Sequence, residues 1–120
     1  MKDSYQKSDP KITKEYLNDI LEASNHIKKI LDNSANSFVD EYYLRAIERF
    51  YEIIGEAARQ LPESFKLKHK EINWRQMIGL RNIIIHRYRE VDQKELLLTA
   101  HYSLPDLVKN IKKIIQEEFN

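Results

Sequence analysis

The chain has 120 residues, a length that suits one hydrophobic core and not two, so we expect a single domain. Hydrophobic residues make up 42% and charged residues 32%, with only two glycines and three prolines, which argues against disorder and against a turn-rich β fold. The formal net charge of +1 gives no general attraction to nucleic acid, and the lack of cysteine excludes disulfides, thiolate metal sites and a cysteine nucleophile.

We expect no targeting signal at the start of the sequence. Residues 1–7 lack the apolar core of a signal peptide, and no uninterrupted apolar run in the sequence is long enough to cross a bilayer. We therefore expect a cytoplasmic protein, with residues 1–120 forming a single helical domain. Residues 1–10 are polar and are predicted to form a flexible arm that leads into the first helix at Asp9-Pro10.

Two long amphipathic helices are predicted in the first half. Apolar residues recur at three-and-four spacing over 16–31, which predicts the first helix, and the short polar side chains of residues 32–37 predict a loop. The second helix is predicted from about residue 40 to 61, where Pro62 ends it. Gly55 lies within its apolar stripe and weakens the helix, so we expect it to let another helix approach closely.

A third helix is predicted after a short connection. Residues 62–71 show no helical apolar repeat, and we predict a loop or a short helical turn there. Asn73 is a suitable N-cap for the third helix, which should end close to His86.

The last part of the chain is predicted to hold a fourth helix. Asp92 and Glu95 have the spacing of a capping box, so residues 87–91 should form the connection that precedes it. Pro105 should kink this helix or split it in two. Four amphipathic helices with short connections pack most simply as an antiparallel four-helix bundle, so the predicted fold is all-α, with a kinked or split last helix.

The end of the third helix gathers residues suited to phosphate chemistry. Arg81 supplies a permanent planar cation, and a histidine such as His86 moves protons near neutral pH, because an unperturbed imidazole titrates near ~6.5. Asn82 could orient the histidine or the phosphate, and Tyr88 offers a phenolic oxygen. These groups suit metal-independent RNA cleavage, in which the 2′-hydroxyl loses a proton, the phosphorane is stabilised and the leaving 5′-oxygen gains a proton.

Helix geometry does not by itself bring the motif together. At about 100° per residue, Arg81 and Tyr88 nearly eclipse one another, whereas His86 is rotated about 140° from Arg81. Two alternatives remain open. Either the last turn unwinds so that His86 reaches the Arg81 face, or a second copy of the chain completes the site.

Simpler interpretations stand beside the catalytic one. A lone histidine at a helix end is more often a cap or a packed polar residue, and an arginine near a helix C-terminus is favoured by the helix dipole. Glu56 follows Gly55 and could orient Arg81, although a solvated helix charge is the favoured interpretation. The four histidines show no metal-ligand spacing, so no metal site is predicted.

The chain resembles a known family in two segments. Residues 74–92 read WRQMIGLRNIIIHRYREVD, and residues 47–58 read IERFYEIIGEAA. Together they resemble the HepT-type toxins of the HEPN superfamily, in which an Arg-x4-His-x-Tyr motif with a polar residue after the arginine is specific. The similarity covers nearly the whole chain, including its length and its order of helices.

The resemblance implies a HEPN helical bundle that forms a homodimer, with the motifs of both protomers facing one cleft. It implies metal-independent endoribonuclease activity of a toxin, without a cofactor. It also implies an antitoxin, the minimal nucleotidyltransferase (MNT), which neutralises the toxin by transferring AMP from ATP onto the motif tyrosine. By position, Arg81 and His86 would be catalytic, Asn82 supportive and Tyr88 the AMP acceptor.

A basic stretch accompanies the motif. Residues 66–89 carry seven basic residues and one acid, a local excess of +6. Such a patch suits an RNA backbone or an acidic antitoxin, although a basic loop is often just solvated. The candidate contact residues are Lys66, Lys68, Lys70 and Arg87.

Two non-enzymatic hypotheses remain. The same groove could form a HEPN binding module that holds nucleotide or the nucleotidyltransferase without cleaving RNA. In the second hypothesis the chain is a purely structural dimerisation domain.

Overall fold

The computed structural model describes residues 9–33 and 40–119, and the side chain of Tyr88 lies outside the described part. Every regular element in the two described ranges is helical, which confirms the predicted all-α class there. The helices are α1 (Pro10–Asp32), α2 (Glu41–Gln60), α3 (Glu63–Lys68), α4 (Trp74–His86), a 3-10 turn (Tyr88–Glu90), α5 (Gln93–Tyr102) and α6 (Leu104–Glu118). Residues 1–8 of the predicted arm and residues 34–37 of the predicted loop lie outside the described ranges.

Short polar side chains fix where four of the helices begin. The carboxylates of Asp9 and Asp40 accept the backbone N–H two residues later, at 2.9 and 2.8 Å. The predicted caps Asn73 and Asp92 accept the N–H three residues later, at 3.0 and 3.2 Å, and are confirmed. The predicted start of the first helix at Asp9-Pro10 is confirmed, because Asp9 caps α1 and Pro10, whose φ is preset for a helix, begins it.

Prolines mark two of the helix boundaries. Leu61 and Pro62 separate α2 from the six-residue α3, so residues 62–71 include the short helical turn that was one of the two predictions. The predicted break in the last helix is a split rather than a kink. Ser103 lies between α5 and α6, and Pro105 falls in the first turn of α6, where its missing N–H leaves no hydrogen bond unmade.

Helix α2 is the centre of the packing, because it contacts α1 and α4 more extensively than any other helices contact each other. Helix α6 packs on α1 and on α5. The core draws large side chains from four helices and the α2–α3 connection, and their burial is the main stabilising contribution to the fold. The largest fully buried apolar side chains are Leu17, Ile20, Ile27, Ile47, Ile54, Leu61, Leu96 and Ile111.

Gly55 lies at the closest approach of α2 and α4. A Cβ atom there would lie 2.2 Å from the Cβ of Arg81 and 2.6 Å from the carbonyl oxygen of Met77. Neither atom is the end of a flexible side chain, so any larger residue would force the helices apart. The predicted role of Gly55 in close helix approach is confirmed.

Helix α4 is apolar but is only partly covered by the rest of the chain. Of its 13 residues, only Trp74 and Ile84 are buried, while Ile83 and Ile85 are each 40% exposed. Gly79 faces open space, since a Cβ there would meet no atom within 4 Å. Ile83 and Ile85 lie about 160° apart around the helix and do not share a face, so the uncovered face of α4 is the side that carries Gly79, Ile83 and His86. Among the described helices, none has the length and apolar character needed to cross a membrane.

Candidate functional site

Arg81 is held at the contact between α2 and α4. Its Nη2 lies 3.1 Å from Oε2 of Glu56, and its Nη1 donates to Oδ1 of Asn82 at 2.8 Å. The side chain is 19% exposed, and its Nε is shielded from solvent with no hydrogen-bond partner among the described residues. The close approach at Gly55 brings the guanidinium to Glu56. One positioned cation therefore lies between a carboxylate on one side and a carboxamide on the other.

Glu56 is tied to several groups at once. It accepts hydrogen bonds from Arg59 at 2.9 and 3.2 Å and from Gln60 at 3.0 Å, in addition to its pair with Arg81. The hydrogen bonds from Arg59 and Gln60, with a further contribution from the charge of Arg81, lower the pKa of Glu56 to about 2. The interpretation of Glu56 as merely a solvated charge is wrong, because it pairs with the motif arginine.

Sequence reasoning missed that Arg59 and Gln60 hold Glu56. The available signal was their spacing, three and four residues after the carboxylate on the same helix. The approach of Arg81 has no such local signal, because it depends on how α4 crosses α2.

The α1 side of Arg81 is acidic. A cleft of about 330 Å³ there contains three carboxylates, Asp19, Glu52 and Glu56, and two cations, Arg49 and Arg81. Burial, followed by the charges of two neighbouring glutamates, raises the pKa of Asp19. A phosphate entering this cleft would meet like charge. An anion is therefore better accommodated near Nη1 of Arg81, which donates to Asn82.

A wider groove is bordered by Asn82, the hydrogen-bond partner of Arg81. It has a volume of about 930 Å³ and is bordered by Asn82, Gly79 and Arg75 on α4 and by Lys70 in the preceding turn. Lys70, Arg75 and Asn82 are exposed. Lys66, Glu63 and Glu71 border the groove as well, so it holds three cations and two carboxylates, and Arg81 is connected to it through the hydrogen bond to Asn82. The excess of cations and the exposed carboxamide suit a phosphodiester backbone.

His86 does not meet Arg81 within one chain. Helix α4 continues through His86, and the N–H of Arg87 still bonds the carbonyl of Ile83 at 2.8 Å. Unwinding of the last turn is therefore not observed. In a regular helix the two residues lie about 140° apart around the axis and roughly 7.5 Å apart along it. His86 is exposed, and the backbone of Tyr88 opens the 3-10 turn that follows.

The basic candidates have different environments. Lys66 is buried at 8% exposure, where its ammonium donates to the carbonyl of Ala58 at 3.1 Å and pairs with Glu63 at 3.1 Å. Its charge is used inside the fold, so the structure does not support Lys66 as an RNA or antitoxin contact. Its aliphatic stem fills space between α3 and α2 while the charged end reaches two oxygens.

The remaining candidates are on the surface. Lys68 pairs with Glu118 at 3.1 Å, and Arg87 lies 3.8 Å from Glu90, so both already have an anionic neighbour. Lys70 is exposed and borders the groove beside α4. Of the three, Lys70 is the best placed to contact a substrate in that groove.

The other histidines serve structural contacts. His69 is buried with its Nε2 2.6 Å from Glu118 and its Nδ1 3.3 Å from Glu71, while its backbone carbonyl accepts from the indole of Trp74 at 3.0 Å. His26 stacks on Phe50 with ring centroids 4.8 Å apart. Within residues 9–33 and 40–119, no three potential metal-ligating side chains come together.

Comparison with known proteins identifies the family. The family profile described as "HepT-like: Ribonuclease HepT-like" matches residues 20–114, about four-fifths of the chain. The chain belongs to the HepT-like ribonuclease family. The matched range contains Glu56 and the whole segment from Arg81 to Tyr88. No solved structure matches the chain.

Several relatives share a third or more of their residues with this HepT-like chain over most of their length. "Putative RNase TTE0752" of Caldanaerobacter subterraneus subsp. tengcongensis is 36% identical over 110 residues, covering 90% of this chain and 98% of the relative. "Probable ribonuclease HepT" of Thermococcus cleftensis is 36% identical over 103 residues, covering 84% and 94%. "Putative RNase MJ1380" of Methanocaldococcus jannaschii is 36% identical over 101 residues, covering 82% and 93%. The family and these names support a ribonuclease of the HEPN type.

Proposed function

We propose that the chain is a metal-independent endoribonuclease whose cleavage site is formed by Arg81 of one protomer and His86 of a second. The observation that carries this proposal is the position of Arg81 in a chain of the HepT-like family. Its guanidinium is hydrogen-bonded to Asn82, which borders an open groove, and His86 lies exposed at the end of the same helix. A single protomer supplies the two groups on different faces, and a twofold partner can supply the missing one.

In the proposed reaction the two groups act on one phosphodiester. His86 removes the proton from the 2′-hydroxyl as that oxygen attacks phosphorus, and the imidazolium so formed gives this proton to the 5′-oxygen as its bond to phosphorus breaks. Arg81 holds the phosphorane oxygens through parallel hydrogen bonds, a role worth roughly 3 kcal/mol per donor in comparable sites. Asn82 keeps Nη1 of Arg81 oriented toward the groove. DNA lacks the internal nucleophile and should not be cleaved.

The uncovered face of α4 supports a homodimer. Ile83 is 40% exposed, Gly79 leaves room for a close neighbour, and both lie with the exposed His86 on one side of the helix at three- and four-residue spacing. Pairing α4 with a second α4 about a twofold axis would cover these side chains and set the end of each motif against the other. We include in this proposal an antiparallel HEPN-type four-helix arrangement, with α5 and α6 as the two parts of the split fourth helix.

The proposed biological role is that of a toxin neutralised by an MNT-type nucleotidyltransferase. Tyr88 follows His86 by two residues, at the point where α4 has ended. AMP attached to this tyrosine would add bulk and a negative phosphate near the groups that hold the substrate phosphate. Both steric hindrance and charge repulsion would then block cleavage.

The first experiment measures RNA cleavage in excess EDTA. Wild-type protein should degrade RNA, whereas His86→Ala should not, and His101→Ala is the matched control because His101 is also an exposed histidine on a helix. Equal activity of wild type and His86→Ala would overturn the catalytic assignment. An inactive wild type that binds the nucleotidyltransferase tightly would instead support the binding-module hypothesis.

The second experiment tests whether the site is shared between protomers. Arg81→Ala and His86→Ala are each expected to be inactive alone. In a mixed dimer, one of the two sites contains an intact Arg81 and an intact His86, so free exchange of subunits should restore about a quarter of wild-type activity. A site built within one protomer would show no recovery, and that result would contradict the dimer proposal.

A further inference from the structure

The contacts of Arg81 are unequal in strength. Its only charged partner among the described residues is Glu56, at 3.1 Å, and its other hydrogen-bond partner is the neutral carboxamide of Asn82. A charge-assisted hydrogen bond is about twice as strong as a neutral one. The position of the guanidinium is therefore determined mainly by the carboxylate on the neighbouring helix.

Glu56 is itself held in one orientation. Arg59 donates two hydrogen bonds to its two oxygens, and Gln60 donates a third to Oε1. These donors lie on the same helix as Glu56, so they orient the carboxylate without any contribution from α4. Its Oε2 then meets Nη2 of Arg81 where Gly55 brings the two helices together.

We infer that Glu56 is the positioning residue of Arg81, fixing the guanidinium so that its Nη1 end faces the groove beside Asn82. This inference rests on the ribonuclease function proposed above. Glu56 lies on the acidic α1 side of the arginine and engages Nη2, whereas an anion is better accommodated near Nη1, so it acts through Arg81 and not on the substrate.

The alternative is an inhibitory pair, in which Glu56 neutralises Arg81 and must release it before cleavage. The geometry favours positioning, because Glu56 engages Nη2 only. A guanidinium has five N–H groups, so Nη1 and Nη2 each keep one beyond the bonds to Asn82 and Glu56. Those two N–H groups are available to phosphate oxygens without breaking the pair.

Removing the carboxylate should slow the chemical step more than it weakens substrate binding. Glu56→Ala is expected to lower kcat by about 10- to 100-fold, because misplacing a catalytic group by about 1 Å has an effect of that order, while KM changes by no more than about twofold. Glu56→Gln should retain part of the activity, since its carboxamide oxygen still accepts from Arg81. Glu52→Ala is the matched control: Glu52 lies in the same cleft but pairs with Arg49 at 2.9 Å.

A double-mutant cycle tests whether Glu56 acts through the arginine. In an Arg81→Lys background, which keeps a cation but lacks the planar Nη1 and Nη2 fork, adding Glu56→Ala should cause a smaller fold loss of kcat than it causes in wild type. An additive loss would show an independent role for Glu56 and overturn the inference. A kcat for Glu56→Ala that equals that of the Glu52→Ala control would also overturn it. An increase in kcat would establish the inhibitory pair instead.

A measurement independent of cleavage separates this inference from the proposed function. The side-chain Nε–H of Arg81 is shielded in the structure, so in wild-type protein its NMR signal should be sharp and slow to exchange with water. It should broaden or exchange faster in Glu56→Ala but not in Glu52→Ala. Unchanged signals in Glu56→Ala would refute positioning, whatever the activity. An inactive wild type with the expected NMR change would refute only the ribonuclease proposal.

Discussion

Gly55→Ala is expected to destabilise the protein although it adds a single methyl group. The new Cβ would lie 2.2 Å from the Cβ of Arg81 and 2.6 Å from the carbonyl oxygen of Met77. Nonbonded carbon atoms in contact are about 3.5 to 4.0 Å apart, so α4 would have to move away from α2 by more than ~1 Å. The pair between Arg81 and Glu56 spans the same contact and would lengthen with it.

Two opposing effects determine how much Gly55→Ala lowers the free energy of unfolding. Overpacking a well-packed contact costs about 1–3 kcal/mol, and more when backbone atoms are involved. Replacing glycine by alanine within a helix stabilises the helix by about 1 kcal/mol. With contacts as short as 2.2 and 2.6 Å we expect the upper end of this cost, and so a net loss of ~2 kcal/mol in the free energy of unfolding, which for a chain of this size lowers Tm by roughly 8 °C.

Gly79→Ala is the matched control on α4. A Cβ there meets no atom within 4 Å, so only the helix-propensity effect remains and the free energy of unfolding should rise by about 0.5–1 kcal/mol. Urea unfolding followed by circular dichroism measures both variants. Because Gly79 lies on the proposed dimer face, the measurement is made at two protein concentrations to separate folding from association. Changes of the same sign and size in both variants would refute the packing argument.

Other substitutions test separate features. Lys66→Ala should lower the free energy of unfolding by about 1–3 kcal/mol, because it removes a buried hydrogen bond to a carbonyl. Lys70→Ala should leave stability nearly unchanged but weaken RNA binding and reduce its salt slope by about 1, as measured by titration at several salt concentrations. Burial raises the pKa of Tyr51, and its buried hydroxyl has no hydrogen-bond partner among the described residues, so Tyr51→Phe should stabilise the protein by up to ~1 kcal/mol in urea unfolding. The pKa of Glu56 lies below its ordinary value of 4.5, so its contribution to stability is present above pH 4.5 and is lost as pH falls through about 2. The stability of Glu56→Gln should therefore change less than that of wild type over this range of pH.

Local sequence signals were sufficient to predict where most of the helices begin and end. Caps such as Asn73 and Asp92 act through hydrogen bonds within three residues, and prolines break helices by removing a donor, so both can be recognised without the fold. Gly55 was also recognisable, because glycine in an apolar stripe has few uses other than close approach. The segment from Arg81 to His86 was found for the same reason, since its residues are near neighbours in the sequence.

The environments of charged side chains could not be predicted in the same way. Lys66 looked like part of a basic surface patch, yet it turns inward because the carbonyl of Ala58 at the end of α2 lies within reach. Glu56 looked solvated because its partner Arg81 lies on another helix. His69 and Glu118 meet although 49 positions separate them. Each of these contacts depends on how helices pack against one another. The periodicity of apolar residues contains little information about the angle or position of that packing.

The central position of α2 has a consequence for the order in which the molecule folds. Its two largest contacts are with α1 and α4, which are close to it along the chain, whereas the contact of α6 with α1 joins elements near opposite ends of the described chain. Closing a longer loop costs more conformational entropy, so contacts between near neighbours tend to form earlier. We expect α1, α2 and α4 to assemble first, with α6 docking last. The pair between Glu56 and Arg81 would then be in place before the fold is closed, and substitutions in α6 should speed unfolding more than they slow folding.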